Sequence, residues 1–189
     1  MIQTLVFCSS SDKINPIFFH SMKDLAEGLV QRNRMVLFGG ENLGLMGCLA
    51  QTVIENQGQI VGLLPEIFNT PETQFDRLTE KVVFPHLADR KKAMLDRADE
   101  VIVFPGGLGT LDEALEVITL KAIGVFQGDI YFVNILDFWV PFFDFLFELK
   151  LRGMISSELS HLYEVVSSPK DLWVYLDSEN SESEAGESL

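Results

Sequence analysis

The chain has little of what most metal and redox sites are made from. It holds two cysteines, Cys8 and Cys48, and three histidines in 189 residues. No Cys-x-x-Cys pair and no Cys/His cluster occurs, so neither a zinc site nor a disulfide framework is expected. The cysteines read as two reduced, buried thiols, and His20, His86 and His161 stand in no catalytic spacing. Basic residues are scarce as well: 14 Lys and Arg against 28 Asp and Glu give a formal net charge of −14. That balance argues against nucleic acid as a partner, since a sequence-independent grip on DNA or RNA needs a basic footprint. It leaves room for a small phosphorylated ligand, because backbone amides bind phosphate without net positive charge. Long apolar runs are missing. The stretch from Phe138 to Leu146 is broken by Pro141 and Asp144 and is too short to span a bilayer, so no membrane partner is expected. Met1 to Phe7 is apolar but lacks a basic n-region and a cleavage site, so it does not read as a signal peptide. A cytoplasmic location is expected.

What is present is an apolar fraction of 47%, enough for a substantial core, in a pattern of short β-rich runs alternating with longer helical ones. Strands are expected at Leu5–Cys8, Met35–Phe38, Ile60–Leu64, Lys81–Phe84, Val101–Phe104 and, last, Ile130–Leu136. Helices are expected at Pro16–Gln31, Gly47–Asn56, Asp89–Ala98, Thr110–Ile123, Phe142–Arg152 and near Pro169–Tyr175. Continuous apolar strands alternating with helices give an α/β fold: a mostly parallel sheet with helices on both faces. Residues 1–176 read as one domain. Residues 177–189 are Ser/Glu-rich and read as an acidic, unstructured tail. In such a sheet the ligand sits beyond the carboxyl ends of the strands. Three of those ends carry small residues: Ser9-Ser10-Ser11, Gly39-Gly40 and Gly106-Gly107.

The strongest segment is Pro105-Gly106-Gly107-Leu108-Gly109-Thr110-Leu111-Asp112-Glu113. A buried strand runs into Pro, three glycines and a helix. Glycines permit close backbone approach, and a helix start offers unpaired N–H groups at the positive end of its dipole. Together these make an anion cradle, in which Thr110 either caps the helix or donates to a phosphate oxygen. The dinucleotide and P-loop spacings are both absent. A second turn, Gly39-Gly40-Glu41-Asn42-Leu43-Gly44-Leu45-Met46-Gly47, also joins a strand to a helix. With the first it implies two loops facing one ligand. Glu113, one turn into its helix, is either a carboxylate favoured by the dipole or one that faces the sugar beside a bound phosphate. Glu116 could share that face. Arg90-Lys91-Lys92 is the only basic run. Basic residues at a helix start oppose the dipole, which points to a role for Arg90 and Lys91. The phenylalanine-rich segment around Phe138, Phe142, Phe145 and Phe147 reads as core or subunit interface.

These residues resemble the LOG ("Lonely guy") family, the cytokinin riboside 5'-monophosphate phosphoribohydrolases often labelled lysine decarboxylases. The carriers are Pro105 to Glu113, matching the family's P-G-G-x-G-T-x-x-E, Arg90-Lys91 before it, and Gly44-Leu45-Met46-Gly47; the similarity extends from Phe7 to about Ile155. The resemblance implies a Rossmann-like three-layer sandwich that forms a homodimer and uses no metal and no cofactor. It implies hydrolysis of the N-glycosidic bond of a nucleoside 5'-monophosphate, AMP or a cytokinin nucleotide, to a free base and ribose 5-phosphate. By match, Arg90 and Glu113 are the catalytic pair. Glu72, Lys91, Gly106, Gly107, Leu108, Gly109, Thr110, Leu111, Asp112 and Thr119 fall where the family contacts its nucleotide. Ser9, Gly39, Gly40, Met46 and Glu116 complete the candidate substrate contacts. No pyridoxal-phosphate lysine motif supports a decarboxylase.

The chain departs from the family pattern at Ser9 in the first turn, at Glu41 after Gly39-Gly40, at Leu87-Ala88 before Arg90, and at Ala122 after Lys121. These positions are expected to line the base pocket. They also define the alternative: a non-catalytic nucleotide binder or sensor that keeps the cradle and the acid without turnover.

Overall fold

The computed structural model describes residues 1–186. Seven strands form one sheet: β1 (Gln3–Phe7), β2 (Met35–Phe38), β3 (Ile60–Pro65), β4 (Glu80–Phe84), β5 (Glu100–Val103), β6 (Asp129–Val133) and β7 (Glu164–Val166). Their order across the sheet is β4-β3-β2-β1-β5-β6-β7, and every neighbouring pair is parallel. Six helices connect them: α1 (Pro16–Gln31), α2 (Gly44–Glu55), α3 (Leu87–Arg97), α4 (Leu108–Ala122), α5 (Val140–Leu151) and α6 (Pro169–Gly186).

The five central strands are buried on both faces, because side chains alternate across the pleat and helices cover each side; the edge strands β4 and β7 are largely exposed. Val6 and Cys8 pack with Met22, Leu25 and Leu29 of α1 and with Leu45, Leu49 and Val53 of α2. Leu5 and Phe7 pack on the other side with Met94 of α3, Val117 of α4 and Leu146 of α5. The result is an α/β/α three-layer fold. Helix α1 starts where expected: Asn15 caps it, its side chain accepting from the Ile17 amide at 3.1 Å, and Pro16 follows.

Three expectations need correction. Ile130–Leu136 is not the last strand: β7 adds an edge beyond β6, a three-residue run too short to show a periodicity. Residues 135–137 turn out of β6 as a short 3-10 segment, with Leu136 at φ 53°. Helix α6 does not stop near Tyr175 but continues to Gly186, into the segment read as an unstructured tail; residues 187–189 of that segment lie outside the described residues.

The strand order reverses at β1, with β2 on one side and β5 on the other. This is the switch point at which open α/β sheets leave a crevice. The loops that follow β1, β2 and β5 all open into it.

Candidate active site

A cavity of about 470 Å³ occupies that crevice, within the size range of small-molecule sites. Its floor is the end of β1, from Val6 to Ser11. Its walls come from Gly39, Glu41 and Met46 after β2, Leu87, Arg90 and Lys91 of α3, and Gly107 to Thr110, Asp112 and Glu113 of α4.

The turn after β5 splits its three glycines between two jobs. A Cβ at Gly106 would lie 2.0 Å from the Thr110 hydroxyl, so Gly106 is there for packing. A Cβ at Gly107 or Gly109 would meet nothing within 4 Å. Both border open cavity, and their bareness lets a ligand reach the backbone. Gly107 caps α4 with no side-chain hydrogen bond, so the first amides of the helix have no helical acceptor. Thr110 is therefore not the cap: it is the third residue of the helix and is buried. This end of α4 presents the amides of Leu108, Gly109 and Thr110 with no side-chain cap.

The turn after β2 is built differently. Gly40 (φ 83°) and Gly44 (φ 54°) take left-handed backbone, where a Cβ would strike Leu64 and the Ser10 backbone. The Gly44 amide donates to the Asp12 carboxylate at 3.0 Å, and the Leu45 amide to the Ser9 carbonyl at 2.9 Å. These donors at the start of α2 are already used. Both turns border the one cavity, but only the turn before α4 leaves its amides without a side-chain cap: glycines alone do not reveal whether the amides they expose are taken.

Between the two turns sits a buried ion pair. Arg90 donates through Nη2 to Glu113 Oε1 at 2.9 Å and through Nε to the Leu63 carbonyl at 3.0 Å. Their side chains are 11% and 14% exposed. A Cβ on Gly39 would come within 3.2 Å of Arg90 Nη2 and 2.9 Å of Met46 Sδ, so the glycine is what lets the guanidinium through. Burial pushes the Glu113 carboxyl up to about 7. Arg90 pulls against that, by its charge and its hydrogen bond; the charge of Asp112 adds to it, and that of Lys91 opposes it. A carboxyl poised near neutrality inside a cavity is the usual mark of acid–base chemistry. Beside the cradle, Lys91 Nζ pairs with Asp112 at 3.0 Å and Glu116 at 2.9 Å. Partial burial depresses its ammonium, but the two carboxylates outweigh that and raise it. The Cys8 thiol is pushed well up, first by burial and then by the charges of Glu113, Cys48 and Glu41. It stays protonated at neutral pH and is no nucleophile.

Of the candidate residues, Ser9, Gly39, Met46, Arg90, Lys91, Gly107, Leu108, Gly109, Thr110, Asp112 and Glu113 line this one cavity. Gly40, Gly106, Leu111 and Glu116 do not line it. In the single chain, Glu72 and Thr119 face solvent away from it: Glu72 lies in a turn, and the Thr119 hydroxyl is spent on the Leu115 carbonyl at 2.7 Å. Among the departures from the family pattern, Ser9, Glu41 and Leu87 line the cavity, whereas Ala88 and Ala122 do not. Phe68, from the short turn after β3, also reaches it, and nothing in its sequence surroundings marks it. Among the described residues no cluster of His, Cys, Asp and Glu could hold a metal ion, and no helix is long and apolar enough to cross a membrane.

Comparison with known proteins bears on this site. A family model described as "Possible lysine decarboxylase" matches residues 46–176. A rice protein (Oryza sativa subsp. japonica) described as "Probable cytokinin riboside 5'-monophosphate phosphoribohydrolase" is 31% identical over 167 residues, 88% of this chain and 78% of its own. An Arabidopsis thaliana cytokinin riboside 5'-monophosphate phosphoribohydrolase is 29% identical over 167 residues, covering 88% and 73%. Among solved structures, the Moco carrier protein of Chlamydomonas reinhardtii superposes with a TM-score of 0.70 at 16% identity, over 96% of this chain and 98% of that one. A molybdenum cofactor binding protein from Rippkaea orientalis gives a TM-score of 0.63 at 17% identity, over 94% of both chains. At such identities these two speak for the fold alone.

Proposed function

The chain belongs to the LOG family of phosphoribohydrolases, and from that premise we propose that it hydrolyses the N-glycosidic bond of a nucleoside 5'-monophosphate, AMP or a cytokinin riboside monophosphate, releasing the base and ribose 5-phosphate. The observation that carries this reading is the free amide end of α4 one helical turn from a buried carboxyl near neutrality.

The chemistry follows from the placement. The monoester dianion binds the amides at Leu108, Gly109 and Thr110, where the helix dipole favours negative charge. Anchoring the phosphate fixes the ribose over Glu113 and supplies the entropic part of the rate. As the C1'–N bond breaks, positive charge develops on the sugar. The Glu113 carboxylate stabilises that charge and takes a proton from the attacking water, whose oxygen bonds to C1'; the base leaves with the electron pair of the broken bond and takes up a proton at nitrogen, from Glu113 or from solvent. Arg90 holds Glu113 in place through one arm of its rigid fork while the Leu63 carbonyl fixes another.

Incubating the protein with AMP and with isopentenyl-adenosine monophosphate, and assaying for free base, tests the reading. Base release is expected from at least one of them. Tight binding of both without release would replace it by the sensor reading.

A homodimer completes the proposal. Phe145, Phe147 and Leu151 on α5, Met154 just after it and Leu108 at the cavity rim are more than half exposed in the single chain. Apolar surface of this kind marks an interface between copies. Sedimentation equilibrium is expected to give a mass near twice 21.3 kDa. A monomer at micromolar concentration would contradict it.

A further inference from the structure

The chemistry above leaves two acids of the cavity wall unused, Asp112 and Glu41; Asp112 is paired with Lys91, whereas Glu41 is held in an unusual setting. Its backbone is fixed on both sides. The Gly40 carbonyl accepts from the Phe75 amide at 2.9 Å, the Asn42 amide donates to the Thr73 carbonyl at 2.7 Å, and Glu41 itself forms an antiparallel bridge with Gln74. The side chain therefore projects into the cavity from a fixed point. Its carboxylate has no hydrogen bond or ion pair among the described residues. Arg90, the nearest cation acting on it, spends its Nη2 on Glu113 and its Nε on Leu63. Half-burial pushes the Glu41 carboxyl up and the charge of Arg90 opposes that, so the acid is partly withdrawn from water and has no donor from the protein.

Position says which part of a nucleotide would supply the donor. The cradle lies at the end of β5 and Glu41 at the end of β2, with β1 between them. Two strand spacings separate the two ends, about 10 Å. A nucleoside 5'-monophosphate with its phosphate in the cradle and its sugar at Glu113 bridges that gap only by laying its base at the Glu41 end. Met46 and Phe68 line the same cavity and offer the soft and aromatic surfaces that receive a base face. The carboxylate would then meet the base edge.

On the phosphoribohydrolase reading, we propose that Glu41 is a specificity-determining residue: its carboxylate accepts an N–H from the exocyclic amino group of the base and restricts the site to 6-aminopurine nucleotides. A 6-oxopurine turns a carbonyl oxygen toward the same carboxylate, where two acceptors face each other and neither is satisfied. A site built around a donor rejects an analogue lacking it far more strongly than an apolar pocket rejects an extra methylene.

The test compares AMP with IMP in the full chain, reading both affinity by calorimetry and base release. The wild type is expected to favour AMP over IMP by about 100-fold. In Glu41→Gln, whose amide can turn either its donor or its acceptor toward the base, the ratio is expected to fall below about 5-fold, mainly through better use of IMP. Retained or improved IMP binding shows that the variant is folded. A wild-type ratio near one, or an undiminished ratio in the variant, overturns the proposal, as does failure of both nucleotides to bind. Failure of the hydrolase reading looks different: AMP is preferred in binding but yields no base.

Discussion

Glu113→Gln is expected to lower base release from AMP on the order of 1,000-fold while leaving AMP affinity within a few-fold. Glutamine keeps the shape of the side chain and an oxygen for Arg90 Nη2, 2.9 Å away in the wild type, but can neither carry negative charge nor take a proton from water. The proposed phosphate cradle at Gly107 to Thr110 does not involve the substituted group, so binding is expected to survive. The same substitution has a second readout, in stability. Burial holds the Glu113 carboxyl at about 7, above its ordinary 4.5. A carboxyl whose folded value is raised favours the folded state below the unfolded value, and that contribution is lost as pH rises through about 7. The loss over this window is of order 3 kcal/mol. Chemical denaturation from pH 5 to pH 8 is therefore expected to show wild-type stability declining, and the decline largely absent in Glu113→Gln. In the wild type, kcat/KM is expected to rise with pH through about 7, because the working form is the carboxylate. A flat stability profile in the wild type, or unchanged turnover in the variant, would remove Glu113 from its role.

The second large effect lies at the opposite end of the central strands. Arg34, just before β2, pairs with Glu100 at the start of β5, and the Thr4 hydroxyl of β1 donates to the same carboxylate. Glu100 and Arg34 are 7% and 8% exposed. Truncating one partner strands the other charge away from water, which costs about 3–5 kcal/mol. Glu100→Ala is expected to lower Tm by roughly 10 °C, with kcat for the remaining folded enzyme unchanged, because the pair sits at the amino ends of the strands while the cavity opens at their carboxyl ends. The double substitution Arg34→Met with Glu100→Leu is expected to restore much of the loss, since it leaves no charge unpaired. A thermal melt of Glu100→Ala within about 2 °C of the wild type would show that water reaches Arg34 and that the pair is not truly buried.

The contrast between these two ion pairs separates what is legible in the sequence from what is not. Arg90 stands out because three basic residues at a helix start work against the dipole, an anomaly that asks for a partner; Glu113 stands out because it follows a glycine-rich turn by one helical turn. The alternation of strands and helices is equally legible, since strands buried on both faces are apolar throughout. The three residues of β7 are not, because so short a run carries no period. Arg34 and Glu100 lie 66 positions apart, and nothing local announces that they meet. The difference between the two glycine turns is hidden for the same reason: Asp12, which takes an amide of the second, lies 32 residues before Gly44. Glu41 shows in the sequence only as a departure from a family pattern; the backbone bridge to Gln74 that fixes it is a contact 33 residues away, which nothing local announces.

Everything turns on where the phosphate sits, and a crystal structure of Glu113→Gln with AMP tests this directly. The 5'-phosphate is expected on the amides at Leu108, Gly109 and Thr110, with C1' of the ribose facing residue 113. A phosphate bound elsewhere in the cavity, or a ribose turned away from that side chain, would contradict the proposed chemistry.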